Sequence, residues 1–142
     1  MAQVQRADLY TTVSRKLEYY SDINTNLDIH PGKKDLTRLT NEDSVKRSVK
    51  NLILTNFGER LFQPAIGANL NKVLFELADA ESLDLAQDQI AGVLRLFEPR
   101  INLIRVIANV LPDQNSMSLT IVFALINTET VVELDLILYR VR

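Results

Sequence analysis

The sequence predicts an α+β domain in which N-terminal helices pack on a C-terminal three-stranded antiparallel meander. Three observations carry the prediction. Apolar residues recur at helical spacing in two long stretches before residue 99. After residue 100 they alternate in three runs separated by short polar turns. Pro99 stands at the changeover, where its ring forbids further helix and pushes Glu98 out of helical geometry.

Residues 1–24 read as a polar, weakly periodic N-terminal arm ahead of a single domain over 25–142. Tyr19 and Tyr20 stand together in the arm; they suit docking on a partner and packing back onto their own domain equally well. Asp28-Ile29-His30-Pro31-Gly32 is a turn signal, with room for a short strand before it. The first helix is expected over about 41–56, with Thr40 and Asp43 as a capping-box variant. Val45, Val49, Leu52 and Ile53 form its apolar stripe, Lys46, Arg47 and Lys50 lie largely off it, and Gly58 is its stop signal.

The segment 57–69 reads as a loop unusually rich in apolar side chains. Phe57, Leu61, Phe62 and Ile66 must cover the core or enter a partner. Asn69 can cap a short helical turn over Leu70–Phe75. A second long helix over about 82–98 places Leu83, Ala86, Ile90, Val93, Leu94 and Phe97 on one face. Then Ile104, Val106, Ala108 and Val110 alternate, and Pro112-Asp113-Gln114-Asn115-Ser116 turns the chain. Leu119, Ile121, Phe123 and Leu125 form the apolar face of a second strand, and Asn127-Thr128-Glu129 turns again. Val132, Leu134, Leu136 and Leu138 face one way in the last strand, Glu133 and Asp135 the other. Short turns between neighbouring runs make a meander, whose edges are open to another chain.

Composition narrows the function. The chain has 142 residues, 46% of them apolar, 16 Lys plus Arg against 18 Asp plus Glu, and no cysteine. A formal charge of −2 without like-charge blocks argues against generic nucleic-acid binding. The absence of Cys removes disulfides, thiol catalysis and Cys-ligated zinc. No stretch approaches the ~18 apolar residues of a membrane span, and no export signal is visible at the start. The expectation is a protein with no nucleic acid, membrane or cofactor among its partners.

Catalytic chemistry finds little support. A glycosidase needs two carboxylates with divergent pKa values. Glu98, Glu59, Asp79, Glu81 and Asp84 are available, but nothing in their spacing pairs any two; exposed acids are the ordinary case. His30 is the only histidine, and Asp28 with His30 makes an incomplete metal set, so a solvated turn histidine is the better reading. There is no Gly-x-Ser-x-Gly, and the four glycines are too scattered to cradle a phosphate. Glu98-Pro99-Arg100 is the triplet of interest. As structure, Pro ends a helix and Arg suits its negative end. As function, a rigid corner displays one acid and one guanidinium for bidentate recognition.

The order and wording of these segments resemble the baseplate wedge and sheath-initiator proteins of contractile phage tails, a family related to the small baseplate component of the type VI secretion system. The resemblance covers roughly 19–142. Ser44-Val45-Lys46-Arg47-Ser48-Val49-Lys50-Asn51-Leu52-Ile53-Leu54-Thr55 resembles the family's first core helix. Gly58-Glu59-Arg60-Leu61-Phe62-Gln63-Pro64 through Gly67, then Leu74-Phe75-Glu76, resembles its central loop. Glu98-Pro99-Arg100-Ile101 matches its hallmark triplet at a helix-to-strand junction. The chain departs at Leu61, where relatives often carry Pro, and at Ala68, where many carry Cys.

The resemblance implies a non-enzymatic subunit of the virion tail baseplate, assembled in the host cytoplasm and repeated in a six-fold assembly. Its implied partners are baseplate wedge proteins and the tail sheath protein, with tube or hub proteins as further contacts. The wedge core bundle would be clamped and the sheet offered to arms of the first sheath ring. Expected partner-binding residues are Glu98, Pro99, Arg100, Glu59, Arg60 and Phe62, and Arg100→Ala is expected to leave the monomer folded while blocking assembly. Two rivals stand beside this reading: a peptidoglycan-cleaving tail lysozyme, a label some relatives have carried, and a cytoplasmic anti-adaptor regulator of similar fold.

Overall fold

Val45, Val49 and Ile53 set three branched side chains on one stripe of α1 (Glu42–Leu54), and all three are essentially fully buried. The computed structural model describes residues 17–75, 80–111 and 116–139; the predicted turn at 112–115, Glu76, Asp79 and the first sixteen residues lie outside them. The helix begins on Asn41 (φ 48°), which makes no side-chain bond to the helix, in place of the predicted Thr40–Asp43 box. The reason is a competing job. The Asn41 carboxamide accepts the backbone N–H groups of Tyr19 (2.8 Å) and Tyr20 (3.4 Å) and donates to the Leu17 carbonyl (2.9 Å). Asn is among the residues that tolerate the positive φ found here. The helix ends at Leu54; Gly58 (φ +83°) lies beyond it, donating to the Pro64 carbonyl at 2.9 Å.

The segment expected as an arm contributes β1 (Ser21–Ile23), paired antiparallel with β2 (Arg38–Thr40). Between them the turn histidine is locally used: His30 Nδ1 accepts the N–H groups of Gly32 (3.1 Å) and Lys33 (3.3 Å). Tyr20 packs against the core and its hydroxyl accepts from Asn127 Nδ2 at 2.8 Å, whereas Tyr19 is half exposed. Tyr20 thus packs back onto its own domain.

The 57–69 loop returns to the end of α1. Gly67 (φ +134°) lies so close to the Thr55 carbonyl that a Cβ would overlap its oxygen, and Ala68 N–H donates to that oxygen at 3.0 Å. Then come α2 (Leu70–Phe75) and α3 (Ala80–Phe97), whose Ala86, Ile90 and Leu94 are wholly buried.

Strands β3 (Ile101–Leu111), β4 (Ser116–Leu125) and β5 (Val131–Tyr139) form the antiparallel meander, in that order across the sheet. Met117, Leu119, Ile121, Phe123 and Leu125 are its buried central row. Ile104 does not join the core as its alternation predicts; it is 56% exposed, at a register slip between Leu103 and Arg105. The cause is parity. Ile101 and Leu103 fall on odd positions, Val106, Ala108 and Val110 on even ones, and an unbroken strand would wet one set. One bulged residue lets both sets face β4's buried row, opposite Leu125, Phe123, Ile121, Leu119 and Met117.

Two turn bonds fix the direction of the ladder. Leu125 N–H donates to Thr130 (3.1 Å), toward β5, and Ile126 N–H donates to Arg100 (3.2 Å), toward β3. Because an antiparallel ladder alternates residue by residue, odd positions of β4 bond β5 and even ones bond β3. The core-facing Val132, Leu134, Leu136 and Leu138 therefore direct their backbone groups to β4. Glu133, Asp135 and Ile137 direct theirs outward. Among the described residues both sheet margins, β3 and β5, lack a neighbouring strand.

Candidate functional site

The Glu98-Pro99-Arg100 corner is assembled from four parts of the chain. Glu98 ends the helical run, its N–H donating to Leu94 at 3.0 Å, and Pro99 lies exposed at the bend. Arg100 then folds back: Nε donates to Glu98 Oε1 at 2.5 Å and Nη2 to Oε2 at 2.7 Å, a two-pronged pair. Ser48, from the face of α1, donates to Glu98 Oε2 at 2.6 Å. The Arg100 guanidinium also lies 5.5 Å from the centre of the Tyr20 ring, within cation–π range.

Burial divides the roles. Glu98 is 3% exposed and the Arg100 side chain 34%. Burial alone would raise the Glu98 carboxyl, but hydrogen bonds from Arg100 and Ser48 and the Arg100 charge outweigh it and hold the group below its ordinary 4.5. Both residues were expected to reach outward. The structure instead commits the Glu98 carboxylate to its own chain, where it ties α3 to α1 and β3. What faces solvent is Pro99 and the open third of Arg100.

The central loop stands beside this corner. Arg60 lines the same pocket, about 240 Å³, as Ser48, Phe97 and Glu98. Glu59 is a loop brace: Oε2 accepts Asn56 N–H at 2.9 Å and Oε1 accepts Asn56 Nδ2 at 2.8 Å. Those bonds, backbone first, also lower its pKa. Leu61 and Phe62 are 90% and 94% exposed, so these two do not fold over the core, whereas Phe57 is half exposed and Ile66 is half-buried in the lining of that pocket. The structure thus brings Arg60 to the Glu98–Arg100 corner and projects Phe62 from the neighbouring loop surface. Ser48, Tyr20 and Asn127 were missed as corner residues. Ser44 and Ser48, one turn apart beside Val45 and Val49, gave one signal: small polar residues flanking a buried stripe.

Solved structures share this fold. A tail lysozyme-like protein from Geobacter sulfurreducens aligns with a TM-score of 0.65 at 24% identity, over 71% of this chain and 92% of its own. A chain of the six-fold symmetrised anti-feeding prophage baseplate aligns at 0.59 and 16% identity, over 87% of each. One in the postcontracted pyocin R2 baseplate gives 0.52 and 18%, over 84% and 98%. The class is therefore an α+β chain with a fold found in two such baseplates. Sequence goes further: the family described as Baseplate wedge protein gp25 matches residues 40–130, from the start of α1 through the corner to the last hairpin. Baseplate wedge protein gp25 of Enterobacteria phage T4 is 32% identical over 116 residues, 80% of this chain and 86% of that protein. The chain belongs to the baseplate wedge protein gp25 family.

Proposed function

We propose that this chain is a structural wedge subunit of a contractile-tail baseplate, which binds neighbouring wedge proteins through its corner and loop and starts sheath assembly at its open sheet margin. The observation that carries the second part is β5: nine residues of regular strand whose outward backbone groups have no partner among the described residues. Such a margin is a template for an added strand. On the wedge side, Pro99, the open part of Arg100, Arg60 and Phe62 offer the contact, while Glu98 and Glu59 hold the two surfaces in shape. Six copies per baseplate fit the six-fold symmetrised anti-feeding prophage assembly. Sheath arms are the proposed strand donors, tube or hub proteins further neighbours, and the host cytoplasm the place of assembly.

The likeness to a tail lysozyme-like protein favours one other reading, cell-wall cleavage. The acids at this site oppose it. A glycosidic general acid needs a raised pKa, and Glu98 and Glu59 are both lowered. The role proposed is non-catalytic.

Glu133→Pro tests the margin. The Glu133 N–H points outward, so proline deletes an edge donor without removing a bond to β4. The variant should stay folded and enter baseplates, yet electron micrographs should show tubes without sheath. Sheathed, contracting particles would count against the margin as the starting point.

A further inference from the structure

Beside the β5 margin runs a cationic groove. Lys46, Arg47 and Lys50 of α1 line it with Leu39 and Leu134, against one acid, Asp43, around a space of about 250 Å³. All three cations are half-buried, so their stems are already ordered. Among the described residues the ammonium groups of Lys46 and Lys50 have no ion pair or hydrogen bond, and Arg47 donates only to the side-chain Oδ1 of Asn24, at 2.9 Å. Leu134 connects groove and margin. It faces the core yet is only half-buried, whereas Val132, Leu136 and Leu138 on the same face are at most 9% exposed.

We infer that the strand added at β5 is an acidic extended protein segment, with carboxylates on its inward face that enter the groove of Lys46, Arg47 and Lys50. This rests on the margin being the docking edge and deepens that reading. A residue opposite Leu134 on an added strand shares its face, with Cβ atoms about 4.5–5.5 Å apart, so its side chain points at the groove. The three-to-one charge balance selects an anion there, and β5's backbone selects an extended polypeptide over nucleic acid, which has no peptide ladder to pair. The chain's own first sixteen residues carry Arg6, Arg15 and Lys16 against Asp8, the wrong sign to fill the site.

The test uses the full chain and a capped nonapeptide alternating threonine and glutamate, followed by NMR or fluorescence titration. It should bind, with affinity falling as salt rises. The lysine-for-glutamate peptide should bind at least about tenfold more weakly, the difference expected from two half-exposed charge pairs. The double variant K46E/K50E should invert the preference, and K46Q/K50Q, the milder check on folding, should abolish it. Equal binding of both peptides, or an oligo-dT strand outcompeting the acidic one, would overturn the groove assignment. An N-methylated acidic peptide binding as well as the plain one would instead overturn strand pairing at the margin, leaving the charge preference intact, so the two failures are told apart.

Discussion

Replacing Arg100 with alanine is expected to lower the melting temperature of the isolated protein by about 6–12 °C, about 2–3 kcal/mol for a chain of this size. The substitution strands the Glu98 carboxylate at 3% exposure with Ser48 as its remaining side-chain donor. Breaking a buried pair from one side costs about 3–5 kcal/mol; the third of Arg100 open to water reduces that figure. The expectation from sequence, that the monomer stays folded, acquires this cost in stability because the guanidinium's first partner is its own chain. Glu98→Gln combined with Arg100→Ala should be milder than Arg100→Ala alone, since no charge is left buried.

The pH dependence carries the sign. In the native protein Glu98 titrates below 4.5, so its contribution is present above that value and is lost as pH falls through the lower folded one. Without Arg100 burial dominates and the carboxyl rises, so the variant is penalised most where Glu98 must ionise. The gap in melting temperature between the two proteins should therefore narrow between pH 7 and pH 4. Thermal unfolding across that range checks it; equal melting temperatures at pH 7 would remove the corner from the account of stability.

Phe123→Ala should cost about 3–5 kcal/mol, a fall of roughly 10–20 °C. Phe123 is fully buried in the central strand, between Leu103 on β3 and Val132 on β5. Truncation empties the middle of the one face that all three strands and both long helices share. The control is Phe62→Ala, 94% exposed, which should change stability by no more than about 0.5 kcal/mol. Urea titration of the two variants separates a core aromatic from a surface one. A loss under about 1 kcal/mol at Phe123 would mean the sheet is not packed as described.

Periodicity made most of the fold legible, because burial of one face imposes it: the stripes of α1 and α3 and the alternation in β4 and β5 follow directly. Features that depend on contacts distant in sequence were not legible. Ile104 alternates correctly with Val106, and only pairing with β4 reveals that a bulge turns it outward. Thr40 and Asp43 match a capping pattern, yet Asn41 takes the position because the arm requires its carboxamide. At the candidate site the triplet was visible as a corner, and family resemblance drew attention to it. Its inward ion pair was not, since Ser48 lies fifty residues away and Tyr20 further still.

The central claim is that other proteins complete the β5 margin, and amide hydrogen exchange reads that margin directly. In the free protein the outward N–H groups of Glu133, Asp135 and Ile137 should exchange fast while those of Leu134 and Leu136, bonded to β4, are protected. In sheathed particles the first three should become slow as well. Exchange at Glu133, Asp135 and Ile137 that stays as fast in the assembled tail as in the free chain would contradict the account.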